Sequence, residues 1–101
     1  MSFVKVGSTG DLKSSAMKGI EVNGKPILLA NLADKYYAIG NICTHRGCKL
    51  SNGALNGDVV QCGCHGSRFD VKTGKVVGGP AARPEPSYEV QVKDDQILVK
   101  T

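Results

Sequence analysis

The chain has no tryptophan and only two phenylalanines and three tyrosines among its 101 residues. It also lacks any apolar run approaching the ~20 residues that a membrane-spanning helix needs. Residues 1–13 contain no continuous apolar segment like that of a secretory signal peptide. We therefore expect a soluble, cytoplasmic protein without a membrane anchor.

The charge is mildly basic, with 13 lysines and arginines against 9 acidic residues. A basic balance can indicate nucleic-acid binding, but these lysines are scattered and no aromatic stacking motif accompanies them. We therefore expect no nucleic-acid partner. The chain has no internal repeat, low-complexity tract or linker, which predicts one domain over residues 1–101.

Thirteen glycines with few aromatics are typical of a turn-rich β protein rather than a helical bundle. Asn23-Gly24 and Asp94-Asp95 each separate two apolar segments and predict hairpins. The predicted strands are 3–6, 19–22, 26–30, 36–39, 59–61, 69–71, 75–77, 88–92 and 97–100. We expect a loop over 7–18. The inward side chains of the last two strands are predicted to be core: Val90, Val92, Ile97 and Val99.

All four cysteines and both histidines fall within residues 41–80, in two short loops. The first loop contains Cys43, His45 and Cys48, and the second contains Cys62, Cys64 and His65. Each loop offers one cysteine and one histidine in ligand spacing, C-x-H in the first and C-x-x-H in the second. Each also carries one surplus cysteine.

This arrangement resembles the Rieske [2Fe–2S] family, in which two thiolates hold one iron and two imidazoles hold the other. The resemblance assigns the cluster ligands to Cys43, Cys62, His45 and His65. It extends to the loop glycines, to Ser67, to the following "FDVKTG" and to Gly79-Pro80-Ala81 as a third loop. It implies an all-β fold: a Rieske-like antiparallel β-sandwich or barrel base with an inserted cluster-binding subdomain at about residues 41–80.

Two other metal sites use similar ligands. A Cys2His2 zinc site usually groups two cysteines in one loop and two histidines in the other, whereas each loop here supplies one of each. Cys43 and Cys48 reproduce the C-x4-C that opens a plant-type ferredoxin site. That site would lack its following C-x2-C cysteine and would leave both histidines unused. The Rieske cluster is therefore the expected cofactor.

Cys48 and Cys64 lie where the quinol-oxidising members of the resembled family carry a disulfide between the two loops. Such a bridge would close a 15-residue intervening segment, for which the chain-entropy model gives about 3 kcal/mol. Alternatively, both cysteines stay reduced as small buried residues, as a reducing cytosol favours.

Other positions around the ligands also follow from the resemblance. Ser67 matches a serine whose hydroxyl donates to a bridging sulfide and raises the reduction potential, although a serine can also simply satisfy a turn. Phe69 replaces a tyrosine of the quinol-oxidising proteins, which implies a lower potential than theirs. Arg46 replaces an apolar residue and suits a polar protein partner, or is an ordinary exposed arginine. Gly79 and Pro80 should approach the cluster.

The expected function is that of a one-electron carrier, a Rieske ferredoxin that passes electrons from a reductase to an oxygenase or respiratory acceptor. We expect a monomer whose partners dock at the histidine side of the cluster. The alternatives are a small Rieske subunit of a nitrite-reductase-like complex and a structural zinc module. We do not expect an enzyme, because the sequence offers no nucleophile–base constellation, mononuclear iron triad or nucleotide-binding loop.

Overall fold

The computed structural model describes residues 3–44, 47–64, 66–79 and 81–101. Ten strands make up most of these ranges, with two single 3-10 turns at Thr9–Asp11 and Leu50–Asn52 and no α-helix in the described residues. The strands are β1 Phe3–Ser8, β2 Ala16–Val22, β3 Lys25–Leu32, β4 Lys35–Gly40, β5 Ala54–Asn56, β6 Val59–Gln61, β7 Arg68–Asp70, β8 Val76–Gly78, β9 Ser87–Lys93 and β10 Gln96–Lys100. The predicted all-β class is confirmed. Within the described ranges, no helix is long and apolar enough to span a bilayer.

Six strands form the base sheet in the order β1-β10-β9-β4-β3-β2, and every neighbouring pair is antiparallel. The predicted Asn23-Gly24 turn joins β2 to β3 with φ values of 51° and 78°. The Asp94-Asp95 turn joins β9 to β10 with φ values of 53° and 63°. Two consecutive positive φ values match the twist of flanking strands, so both hairpin predictions are confirmed.

Strand β3 separates two hydrophobic cores. Ile27 and Leu29 face one core together with Ile97 and Val99 of β10. Leu28 and Ala30 face the other core, which lies between the base sheet and the second sheet. Because both faces of β3 are buried, its sequence is a continuous apolar run rather than an alternating one.

The second sheet has the order β5-β6-β7-β8 and falls entirely within residues 41–80, the predicted insertion. Its central residues Val60 and Phe69 pair with each other across β6 and β7. Both are fully buried in the core that β3 shares with this sheet. The small sheet is therefore attached to the base by a common core and not only by the chain.

Three local predictions were wrong. Residues 7–8 belong to β1 and residues 16–18 to β2 rather than to the predicted loop over 7–18. β1 pairs with β10 as far as Ser8 opposite Gln96, and β2 pairs with β3 along its whole length, from Ala16 opposite Asn31 to Val22 opposite Lys25. Strand β5 was not predicted. Val92 is 48 % exposed instead of core, because β4 pairs with β9 only at Ser87 and Tyr88 and leaves the far end of β9 uncovered.

Candidate metal centre

Two loops project from short antiparallel hairpins, and we call them the first loop (residues 43–48) and the second loop (residues 62–67). The first follows the bridge between Ile42 and Lys49. The second follows the pair Gln61 and Arg68, where β6 meets β7. Each loop therefore starts at a cysteine that directly follows a paired residue.

The two loops have the same backbone hydrogen bonds. In the first, the Cys43 N–H donates to the Cys48 carbonyl at 2.7 Å and the Gly47 N–H donates to the Cys43 carbonyl at 2.9 Å. In the second, the Cys62 N–H donates to the Ser67 carbonyl at 2.7 Å and the Gly66 N–H donates to the Cys62 carbonyl at 3.1 Å.

The fifth residue of each loop is a glycine with positive φ, 77° at Gly47 and 80° at Gly66. Glycine adopts this conformation without the steric cost that a side chain would bring. The repeated geometry makes the two cysteines that open the loops equivalent by position, which fits a cofactor that takes one such ligand from each side.

A disulfide between Cys48 and Cys64 joins the two loops. The sulfur of Cys62 lies within 4.8 Å of both disulfide sulfurs. These three sulfurs do not form a metal site, because a disulfide sulfur is not the thiolate that a metal requires. The disulfide instead holds Cys64 of the second loop close to the first loop.

Cys43 and Cys62 are the two cysteines outside the disulfide, and they are 3 % and 2 % exposed. Both belong to the core that also contains Phe69 and Leu50. Two buried free thiols, one at the same position of each loop, match the thiolate half of the predicted ligand set, which stays a prediction. His45 and His65, the predicted imidazole half, lie outside the described residues, as do Arg46 and Pro80.

Ser67 is completely buried, and its hydroxyl oxygen accepts a hydrogen bond of 3.0 Å from the Ala81 N–H. A hydroxyl can accept and donate at the same time. Within the described part of the chain, the Ser67 hydroxyl hydrogen has no recorded acceptor, so it is available to a group bound between the loops. Gly79, by contrast, is exposed, and a methyl group added there would meet no described atom within 4 Å.

Residues 81–86, which we call the strap, cross both loops on the way from β8 to β9. The Ala81 N–H binds Ser67 of the second loop, and the Thr44 hydroxyl of the first loop donates to the Arg83 carbonyl at 2.7 Å. The far end is held by the Glu85 N–H, which donates to Gly74 at 2.7 Å, and by Pro86, which accepts from Gly40 at 2.9 Å. The strap therefore ties both loops to the base sheet.

Glu85 is the residue near this site that sequence reasoning missed. Its side chain is 4 % exposed, and Oε2 has no hydrogen-bond partner among the described residues. Burial raises its pKa to about 7, although the backbone N–H of Thr44 favours the charged form. The only signal in the sequence is a glutamate between two prolines, and nothing there shows that this segment is buried.

Comparison with known proteins gives one consistent result. A family model of the Rieske [2Fe-2S] domain matches residues 2–93. The chain is 36 % identical to the ferredoxin component of biphenyl 2,3-dioxygenase from Rhodococcus jostii, over 98 % of this chain and 92 % of that protein.

Solved structures agree. The ferredoxin of carbazole 1,9a-dioxygenase from Nocardioides aromaticivorans has a TM-score of 0.94 and 31 % identity, with 98 % of this chain and 97 % of that one covered. A ferredoxin in a complex of reduced oxygenase and oxidised ferredoxin of carbazole 1,9a-dioxygenase has a TM-score of 0.91 and 33 % identity, covering 96 % of this chain and 100 % of that one. The match to the Rieske domain model and the ferredoxin relatives imply a Rieske-type [2Fe-2S] cluster rather than a zinc module. The chain belongs to the Rieske [2Fe-2S] domain family.

Proposed function

We propose that this chain is the ferredoxin component of a multi-component oxygenase system and delivers one electron at a time to an oxygenase. The observation that carries the proposal is the pair of loops with identical backbone bonding, each opening on a buried free cysteine. The relatives described above are ferredoxin components of dioxygenases, and one similar ferredoxin occurs in a complex with its oxygenase. These related proteins support the choice of an oxygenase as the electron acceptor.

In this proposal Cys43 and Cys62 bind one iron, and His45 and His65 bind the other. When bound, the cluster supplies one-electron redox chemistry at a potential above that of all-cysteine plant-type clusters. The disulfide and the strap keep the loops at a fixed separation, and Ser67 offers a hydroxyl donor toward the space between them. Residues 41–80 act as the cluster-binding subdomain of a single domain.

The thiolate side of the centre lies in the protein core, because both cysteines are nearly inaccessible. We therefore assign electron entry and exit to the imidazole side, where a reductase and an oxygenase would dock in turn on a monomer. Arg46 follows His45 directly in the sequence and would present a cation to whichever partner docks there. The cytoplasmic location expected from the sequence remains a prediction.

The cluster assignment is tested by iron and acid-labile sulfide analysis of the anaerobically purified protein, together with its EPR spectrum after reduction. We expect two irons and two sulfides per chain and a lower mean g value than for all-cysteine clusters. Alanine variants of Cys43, Cys62, His45 and His65 should each lose the cluster. The matched control is Cys48→Ala/Cys64→Ala, which removes two cysteines that are not ligands and should keep it.

The partner assignment is tested by rapid mixing of the reduced protein with an oxygenase component of the biphenyl or carbazole type. The recovery of this protein's visible absorbance, as its reduced cluster is reoxidised, reports the electron transfer. We expect the rate to fall on Arg46→Glu, because the substitution reverses the charge beside the proposed docking side, and to stay unchanged on Lys93→Glu, at the end of β9. Equal rates for these two variants would refute docking at the histidine side.

A further inference from the structure

The strap carries a carboxyl group in an unusual position, buried beside the first loop. Glu85 lines a groove of about 510 Å³ together with Ile42, Cys43 and Thr44. Its Oε1 atom lies so close to Gly40 that a methyl group at that glycine would stand only 2.5 Å from it. Because glycine has no side chain, Gly40 leaves room for this carboxyl group in the groove.

A buried carboxyl group that lacks a partner for one oxygen destabilises the fold, because it loses hydration without full compensation. The strap could bury an apolar side chain here, as it does with Ala81. The backbone bonds of Glu85 to Gly74 and of Pro86 to Gly40 fix the side chain's location whatever its chemistry. The carboxyl group itself is therefore not needed to hold the strap.

What the carboxyl group does face is the first loop. The Thr44 N–H favours its charged form, and Thr44 directly follows Cys43. The other ionisable side chains lining the same groove are those of Lys25, Tyr88 and Cys43, the last of which would be a cluster ligand. A carboxylate here lies in a low-dielectric environment, where its field on a nearby redox centre is weakly screened by water.

We propose that Glu85 lowers the reduction potential of the cluster by holding a buried negative charge against the backbone of the first loop. A negative charge opposes the addition of an electron nearby, so removing the charge should make reduction easier. This inference rests on the proposed function, since it requires the cluster to be bound at Cys43. It adds a determinant of the potential that is not a ligand and does not donate to the cluster's sulfides.

The test is a redox titration of the holoprotein at about pH 8, where the wild-type carboxyl group is mainly ionised because its pKa is about 7. Glu85→Gln keeps the shape and removes the charge. We expect its equilibrium constant for reduction to rise at least threefold, which is about 28 mV for a one-electron couple at 59 mV per tenfold. The matched control is Glu89→Gln, which removes an exposed carboxylate from the next strand and should leave the potential unchanged.

A Glu85→Gln potential equal to that of the control would overturn the proposal. If this variant does not assemble a cluster, Glu85→Asp is titrated instead. The shorter side chain moves the charge away from Thr44 by one methylene, so the potential should lie above the wild-type value. An unchanged potential overturns the proposal. The visible and EPR spectra separate the two levels of inference. A wild-type protein without a Rieske signal refutes the proposed function, whereas a normal signal with an unshifted potential refutes only the role of Glu85.

Discussion

Removing the disulfide gives the most direct test of how the two loops are held together. Cys48 and Cys64 are 16 residues apart in sequence. The chain-entropy model assigns about 3 kcal/mol to the loop that such a bridge closes in the unfolded chain. The variant Cys48→Ala/Cys64→Ala should therefore unfold about 3 kcal/mol more easily than the wild type. Its cluster should still form, because Cys43 and Cys62 remain.

The assay is urea unfolding of the oxidised holoprotein, followed by circular dichroism and by loss of the visible absorbance. With a urea slope of about 1–3 kcal/mol per M, the midpoint should fall by about 1–3 M. A disulfide reductant should lower the wild-type midpoint toward that of the variant and leave the variant unaffected. The denatured, metal-stripped wild type should show only Cys43 and Cys62 as free thiols. A double variant within about 0.5 kcal/mol of the wild type would refute the reasoning that the bridge constrains the unfolded chain.

Four further changes have defined outcomes. The pKa of Glu85 is raised from 4.5 to about 7, so the folded state holds this proton more tightly than the unfolded chain does. The contribution of Glu85 to stability should therefore be largest below pH 4.5 and fall by about 2 kcal/mol up to pH 7, after allowance for solvent screening. Urea midpoints of Glu85→Gln should lack this part of the pH dependence, and parallel pH profiles for the two proteins would contradict it. Ser67→Ala leaves the Ala81 N–H without its acceptor, so we expect a loss of about 1–3 kcal/mol in urea unfolding and a lower potential; an unchanged potential would exclude a hydroxyl donor to the cluster. Phe69→Tyr should raise the potential by adding a hydroxyl in the core that contains Cys43 and Cys62, the proposed ligands, and an unchanged or lower value in a redox titration would count against that explanation. Gly19→Ala places a methyl group 2.7 Å from the Ser51 hydroxyl and 2.9 Å from the Asn41 amide, which should cost about 1–3 kcal/mol, whereas Gly10→Ala meets nothing within 4 Å and is the control.

The disulfide also shows that features of two Rieske groups coexist in one chain. The sequence resemblance linked the extra cysteine pair to quinol-oxidising proteins, yet the relatives reported above are dioxygenase ferredoxins. In this structure the bridge joins the two loops. Position 69 also distinguishes the two groups, because the quinol-oxidising proteins carry a tyrosine there. Phe69 has no hydroxyl and lies fully buried in the core that contains the two free cysteines.

Much of the fold followed from local chemistry. The turns at Asn23-Gly24 and Asp94-Asp95 depend on residues that tolerate positive φ, and each acts within its own hairpin. Strand β6 was predicted with its observed bounds, Val59–Gln61, because it is a short apolar run between a turn and a cysteine. By contrast, the start of β2 at Ala16 was missed, because it depends on pairing with Asn31 and follows a polar, glycine-containing segment that predicts a loop.

The type of centre was predictable from the residue types, because thiol and imidazole side chains at short spacing are the ligands of a Rieske cluster. How the two loops correspond depends instead on packing between distant parts of the chain, which bonds Cys48 to Cys64 and buries the other two cysteines at matching positions. The same packing places Glu85 beside Cys43 and Thr44 of the first loop, more than 40 residues earlier in the chain. Such contacts arise from the packing of the strap against both loops, and no pattern within a short window of sequence specifies them.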